Sequence, residues 1–211
     1  GNPRYIEEVV KHMFMNNFIY IGDDRKWHVT ERELNSIELP QSLDEATLRS
    51  LSTFDESSIK ILEALSVFGK PMSKDLIKEV AHVSAAIFDE KVAQLIELKI
   101  IQIKYSDWGY TYDFHNRNLL RMVYQKIEDE RKLEYHKNAA QAVEVLYKKE
   151  GKNGEELINH LASSNQSLKA IEYAIELGDK MTKLSLFKQA MSYYHQALDF
   201  FTEVEAPEWR A

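Results

Sequence analysis

Cysteine is absent from the chain, which excludes disulfides, thiolate metal sites and cysteine nucleophiles. Glycine and proline are scarce, with 7 and 4 in 211 residues, so sharp turns are few and helices are favoured over a sandwich of short strands. No apolar run approaches the roughly 20 residues that a membrane-spanning helix needs. We therefore expect a mainly α-helical protein of the reducing cytoplasm that makes no membrane contact.

The sequence motifs of common catalytic sites are missing as well. The chain has no Gly-x-x-x-x-Gly-Lys-Ser/Thr phosphate loop, no apolar strand ending in paired carboxylates for magnesium, and no Gly-x-Ser-x-Gly elbow. None of the 7 histidines stands three or four residues from another, which is the spacing that lets two histidines on one helix share a metal. We therefore expect no catalytic residue, no metal and no enzymatic activity.

The first 50 residues predict a helix, a small β-structure and a linker. Apolar residues recur at helical spacing within 4–20, and Pro3 suits the first turn of a helix. A glycine and two aspartates interrupt this pattern, and alternation through Trp27 and Val29 then predicts a β-turn or short hairpin. The rest of this segment predicts a linker and a short helix, around 37–40 and over 43–51.

Residues 51–126 predict a winged-helix domain, which is three helices followed by a β-hairpin. Side-chain caps are predicted at the starts of the three helices, by Asp55, Ser73 and Ser84. Gly69 should end the first helix, and alternating residues predict strands over 100–105 and 110–114. The apolar face of the third helix is expected at Ile87, Val92, Leu95, Ile96 and Leu98.

Residues 127–211 predict helical hairpins. Leu177-Gly178, Ala190, Tyr194 and Ala197 stand at the intervals of a tetratricopeptide repeat, so this stretch resembles that repeat. The match departs from the repeat at an aromatic position and at the closing proline, where Ala174 and Thr202 stand. The segment 167–177 resembles the second helix of a preceding copy. We expect the array to continue beyond Ala211, with a protein partner on its concave face. Aromatic residues expected in the hairpin core are Tyr193, Tyr194, Phe200 and Phe201.

The order of elements extends the resemblance to nearly the whole chain. A Gly-Asn-Pro helix precedes a linker ending in Leu-Pro, the winged helix, a Phe-His segment, a helix ending in Val-Tyr, and the repeat-like hairpins. This order resembles the region after the nucleotide domain in bacterial signal-transduction ATPases of the AAA-related STAND type. A Gly-x-Pro turn leading directly into a helix is also what we expect where a longer chain has been cut.

The resemblance implies a regulatory fragment of such an ATPase, coupling nucleotide state to partner or effector binding. In these proteins the Gly-x-Pro turn lies against the adenine, here Gly1 and Pro3, and a winged-helix histidine reaches the ADP phosphates. Alignment backward from Val-Tyr places Asn116 at that position, whereas the Met-His-Asp form of the motif places His115 there. The plain alternative for His115 is a capping or packing residue after a strand. No cofactor is expected in the fragment alone.

In the intact parent chain, the resemblance implies bound ATP or ADP. It also implies two partners, namely the upstream nucleotide-binding domain of the same chain and a protein held by the repeats, and it allows an oligomer of the parent.

A DNA-binding transcriptional regulator with a helical dimerisation tail is the alternative function. Winged helices insert their third helix into a major groove. Here that helix, within 84–99, carries three acidic residues against two lysines, in a chain of net charge −7. Gln94 alone offers an amide for base edges. We therefore expect DNA binding to be the weaker of the two hypotheses.

Overall fold

A computed structural model describes residues 3–15, 17–30, 54–106 and 109–205. The linker and short helix predicted around 37–40 and over 43–51 lie outside the described residues. None of the helices within the described ranges combines the length and apolar composition needed to cross a bilayer.

Helices dominate the described part of the chain, as the sequence predicts, and small antiparallel sheets accompany them. In the first half the helices are α1 (Pro3–Met15), α2 (Glu56–Phe68), α3 (Lys74–Ala81) and α4 (Ala85–Glu97). In the second half they are α5 (Arg117–Lys126), α6 (Asp129–Glu150), α7 (Gly154–Ser163), α8 (Ser167–Lys183) and α9 (Phe187–Glu205). The strands are β1 (Ile19–Ile21), β2 (Trp27–Val29), β3 (Met72–Ser73), β4 (Ile101–Ser106) and β5 (Gly109–Phe114).

The hairpin predicted near the start of the chain is confirmed. Strands β1 and β2 pair in antiparallel fashion, with Ile19 opposite Val29. The preceding helix, predicted over 4–20, ends instead at Met15. Asn17 takes a left-handed φ of 56°, and the chain then enters β1. Asparagine tolerates this conformation better than most residues. The left-handed backbone at Asn17 therefore ends the helical segment before the apolar pattern ends.

Local capping signals in the second segment are confirmed in part. The Asp55 carboxylate accepts a hydrogen bond from the Ser58 N–H at 2.9 Å, and Gly69 ends α2 with a left-handed φ of 66°. Ser84 likewise accepts from Ile87 N–H at 3.3 Å at the start of α4. Ser73 stands at the N-cap position of α3 as predicted, but its side chain makes no capping bond and its backbone belongs to β3. Strand β3 pairs with β5, giving the sheet order β3-β5-β4.

The buried face of α4 differs from the predicted face by one residue. Val92 and Leu95 are buried as expected, but Ile87 is 39% exposed and Phe88 is fully buried. Phe88 meets Tyr112 of β5 edge to face, with ring centroids 5.3 Å apart. The small sheet therefore decides which residue of the first helical turn faces the core, and helical spacing alone does not reveal this.

The last two described helices form a tight hairpin. Helix α8 runs without a break through 167–183, so the interpretation of 167–177 as the second helix of a preceding copy is wrong. Leu177 and Gly178 lie in this same helix. A Cβ at Gly178 would lie 2.5 Å from a ring carbon of Tyr194, so the absence of a side chain allows α8 and α9 to approach closely.

A single apolar core joins the two halves of the described chain. Its buried residues run from Ile61 in α2 to Ala197 in α9, and they pack without a gap between the sheet-bearing part and the hairpins. Helices α2 and α3 both contact α6. Helix α6 is thus the element through which the two halves share their interior.

Candidate functional site

The residues that the resemblance assigns to nucleotide binding lie in two places. Gly1 is outside the described residues, and Pro3 is the exposed first residue of α1. His115 and Asn116 directly follow β5, between the sheet and α5. We refer to these two residues together with Asp113, which lies in β5 two residues before His115, as the β5 exit.

At the β5 exit, the two candidate phosphate sensors have different environments. The Asn116 side chain accepts a hydrogen bond from Asn118 N–H at 2.9 Å and so begins α5. The backbone N–H of His115 donates to Ile100 at 2.8 Å, but its ring is exposed and no described residue hydrogen-bonds to it. The capping role considered for His115 therefore belongs to Asn116, and the imidazole is the group left available to a ligand.

A buried carboxylate precedes this histidine by two residues. Asp113 is 1% exposed, and one of its oxygens pairs with Lys104 Nζ at 2.6 Å. Its other oxygen, Oδ1, is buried and accepts a hydrogen bond from none of the described residues. Buried acceptors are rarely left unpaired because desolvation is then uncompensated. The β5 exit thus places an accessible imidazole close in sequence to a carboxylate with an unused acceptor.

The exposed surface of α4 is acidic and apolar. Lys91 reaches back to Asp55 at 3.0 Å and also pairs with Glu90. Lys74 pairs with Asp89 at 2.5 Å. The cations near this helix are therefore already partnered by carboxylates, and the residues that remain on its open side include Ile87 and Glu97. A helix with this surface has little to offer DNA phosphates.

Where α2 meets α6, a buried acidic residue is held by two partners. Glu63 is 8% exposed and accepts a hydrogen bond from the Tyr135 hydroxyl at 2.9 Å. Arg131 lies 2.8 Å from the same carboxylate. Burial raises the pKa of Glu63, opposed by these two partners. No local pattern in the sequence indicates this cluster, since Glu63 and Tyr135 are 72 positions apart.

Two histidines meet in the core where α6 packs on α7. Nδ1 of His136 on α6 lies 3.0 Å from Nδ1 of His160 on α7, and the side chains are 7% and 3% exposed. The Tyr124 hydroxyl lies 3.0 Å from Nε2 of His136. Nε2 of His160 is buried without a hydrogen bond, and the Glu156 carboxylate is 3.4 Å away. We refer to His136 and His160 as the histidine pair.

The histidine pair is neutral near pH 7. Burial lowers the pKa of His136 to about 4, with a further contribution from His160. Burial also lowers the pKa of His160 to about 4, with a further contribution from Lys70. One consistent set of tautomers has Tyr124 donating to His136 and His136 donating to His160, which leaves the His160 Nε2–H directed towards Glu156. This assignment connects α5, α6 and α7 through polar atoms inside the core.

The histidine pair does not make a metal site within the described ranges, where no group of three or more candidate ligands converges. Two histidines on one helix share a metal at spacings of three or four residues, whereas this pair converges from two helices across 24 positions. No local spacing signal exists for such a contact. Only knowledge that α6 and α7 are antiparallel neighbours could have suggested it.

A cleft of about 600 Å³ lies beside the histidine pair. It shares Phe68 and Glu156 with the surroundings of His160, since Phe68 meets that ring edge to face at 5.2 Å. Its charged lining is balanced, with two lysines and two glutamates: Lys70, Lys180, Glu155 and Glu156. Lys70 pairs with Glu156, and burial lowers the pKa of Lys70. The cleft therefore has no electrostatic preference for an anionic ligand such as a nucleotide.

The aromatic residues of α9 divide between core and surface. Tyr193 and Phe200 pack against the buried core, and Tyr194 packs on Gly178, as the hairpin-core interpretation predicts. Phe201 does not fit the hairpin-core interpretation, because its side chain is 45% exposed.

Comparison with known proteins provides no further assignment. No protein-family model, no curated protein and no solved structure matched the chain.

Proposed function

We propose that the chain is a non-catalytic regulatory module of a multidomain signalling ATPase of the STAND type. In this proposal residues 51–126 form a winged-helix domain and residues 127–211 form tetratricopeptide-like hairpins. The order α2-β3-α3-α4-β4-β5, with its three-stranded antiparallel sheet, supports the first assignment. The close α8–α9 contact at Gly178 supports the second. The module acts in the cytoplasm by coupling the nucleotide state of an upstream domain to a protein partner on the hairpins.

The continuous core through α6 is the observation that carries the coupling. Glu63, Tyr135 and the histidine pair tie α2 and α5 to α6 and α7 by buried polar contacts. Buried polar networks fix one arrangement of the elements they join, because any relative shift leaves their groups unpaired. When the winged-helix part moves, α6 and α7 therefore move with it as one rigid body. Bound ATP or ADP can shift the module between two conformations only through contacts that differ between those conformations.

Two exposed features suit contact with a nucleotide-binding domain. The imidazole of His115 is accessible at the β5 exit. On the first segment, Phe14 and Trp27 meet edge to face with centroids 5.7 Å apart, yet they are 46% and 59% exposed. Exposed apolar clusters of this kind are typical of surfaces that another domain covers. In the proposal the nucleotide domain covers this face, and bound ADP is held between it and His115.

A substitution at His115 in the parent chain tests the proposal. His115→Ala should release ADP that the unaltered parent retains through purification, because the imidazole would no longer meet the phosphates. Nucleotide released by denaturation is identified and quantified by chromatography. Asn116→Ser is the matched control, since serine keeps a helix cap, adds no negative charge beside the phosphates and should keep the ADP. Full ADP retention in a folded His115→Ala parent would contradict the proposal.

The charges on α4 also predict the result for DNA. We expect no binding of duplex DNA tighter than about 1 µM in low salt, whereas specific DNA-binding proteins reach far lower dissociation constants. Fluorescence anisotropy with a labelled duplex at two salt concentrations measures this directly. Tight binding with a steep salt dependence would instead favour the transcriptional regulator.

A further inference from the structure

Helix α9 carries an apolar stripe with coiled-coil spacing. Its members follow one another at intervals of four, three, four and three residues, and they are Phe187, Met191, Tyr194, Leu198 and Phe201. This is the alternation of core positions in a heptad repeat, which keeps a straight seam along one side of a helix. Phe187, Met191 and Leu198 are each about three-fifths exposed. We refer to these five residues as the α9 seam.

The α9 seam runs beside the face that packs on α8 and shares Tyr194 with it. Ala190 and Ala197 are buried on that inner face, 3% and 5% exposed, and Tyr194 lies at the border against Gly178. The seam thus remains largely open among the described residues, although its side chains are large and apolar. Leu184 and Leu186, in the turn before α9, are also 59% and 44% exposed. Large apolar side chains left exposed in this number indicate an interface.

The order of residues in the seam is nearly the same in both directions. Phe187 and Phe201 each lie seven residues from Tyr194, while Met191 lies three before it and Leu198 four after it. If two copies of α9 pack antiparallel about a twofold axis at Tyr194, Phe187 of each copy lies beside Phe201 of the other. A twofold interface requires this self-complementarity, since each contact occurs twice.

Charges beside the seam favour the same arrangement. Lys188 and Asp199 lie six residues before and five after Tyr194, and both are exposed. Neither forms an ion pair with another residue in the described part of the chain. In an antiparallel pair, Lys188 of each copy faces Asp199 of the other. In a parallel pair, the twofold axis runs along the helices and puts the two copies of this charged flank on opposite sides of the seam, so Lys188 of one copy does not meet Asp199 of the other.

We propose that α9 is a homodimerisation helix that pairs antiparallel with a second copy of this chain through the α9 seam. The helix has 19 residues and is therefore roughly 28 Å long. A contact of two such helices falls at the small end of specific interfaces, so the dimer is reversible and forms at micromolar concentrations. This inference does not depend on nucleotide binding by the parent chain.

Sedimentation of the full 211-residue chain over about 1 to 200 µM tests the dimer. We expect a monomer–dimer equilibrium, and Leu198→Glu should raise its dissociation constant at least about tenfold by placing a charge in the seam. The matched control is Leu168→Glu, at a leucine on α8 that is 67% exposed against 59% for Leu198, and it should leave the dissociation constant unchanged. Circular dichroism confirms that both variants are folded. A monomer at every concentration, or a dimer unaffected by Leu198→Glu, would overturn the proposal.

A charge exchange tests the antiparallel orientation. Lys188→Glu alone and Asp199→Lys alone should each weaken the dimer severalfold, because each places like charges opposite one another. The double variant should restore the dissociation constant of the unaltered chain. Failure of this restoration, with both single variants weakened, would overturn the antiparallel arrangement.

Discussion

Stability of this protein is expected to fall by about 3 kcal/mol between pH 7 and pH 5 because of the histidine pair. The pKa of each histidine is about 4 in the fold and 6.5 as its ordinary value. The unfolded chain therefore binds more protons throughout this interval. The stabilising contribution is fully present above pH 6.5 and is lost as the pH falls towards 4. Urea unfolding at pH 7, 6 and 5 measures this loss.

Variants separate the histidine pair from other titrating groups. His136→Phe combined with His160→Leu should cost stability at pH 7, because the Tyr124 hydroxyl loses its partner, but it should flatten the pH dependence between 5 and 7. Leu168→Ala is the control, since this exposed leucine of α8 does not titrate and its truncation should leave the slope unchanged. An unchanged slope in the double variant would show that other groups cause the pH dependence.

The histidine pair also has a consequence for the proposed coupling. Adding a proton to either ring places a charge inside the core where Nδ1 of the other ring is 3.0 Å away. The Glu156 carboxylate lies 3.4 Å from Nε2 of His160 but is also paired with Lys70. At pH 7 the contact between the two rings is therefore one between neutral groups. Acidification is expected to loosen this contact between α6 and α7.

Features fixed by neighbouring residues could be predicted from the sequence. The Asp55 cap, the Gly69 stop and the Ser84 cap each depend on atoms within three residues, so their chemistry is visible in the sequence. The hairpins at β1–β2 and β4–β5 follow equally from local alternation. The mainly helical fold was predictable because it is the sum of such local signals.

Features fixed by tertiary contact could not be predicted. The pairing of Glu63 with Tyr135, and of His136 with His160, depends on how α2, α6 and α7 pack. Neither contact leaves a periodic pattern in the chain. The environments of His115 and Asn116 also required the fold, since the sequence left both as candidate phosphate sensors and the structure makes one of them a helix cap.

The buried face of α4 was predictable except at Ile87 and Phe88. A substitution of Phe88 is the single change from which we expect the largest loss of stability. Phe88→Ala should lower the free energy of unfolding by about 3 to 5 kcal/mol. Its ring is fully buried and packs edge to face on Tyr112 of β5, so truncation removes apolar contacts and leaves a cavity between helix and sheet. Urea unfolding at pH 7 gives the value, and a loss of near-ultraviolet circular dichroism should accompany it.

Ile87 provides the matched control because it precedes Phe88 in the chain and was assigned to the core by helical spacing. It is 39% exposed, so Ile87→Ala should cost less than about 1 kcal/mol. A large loss at Ile87 with a small loss at Phe88 would restore the predicted face and contradict the packing of α4 on β5. The reverse result would show that the sheet sets the rotation of α4. Since that rotation determines which acidic residues α4 presents to solvent, it also bears on the weak DNA binding expected here.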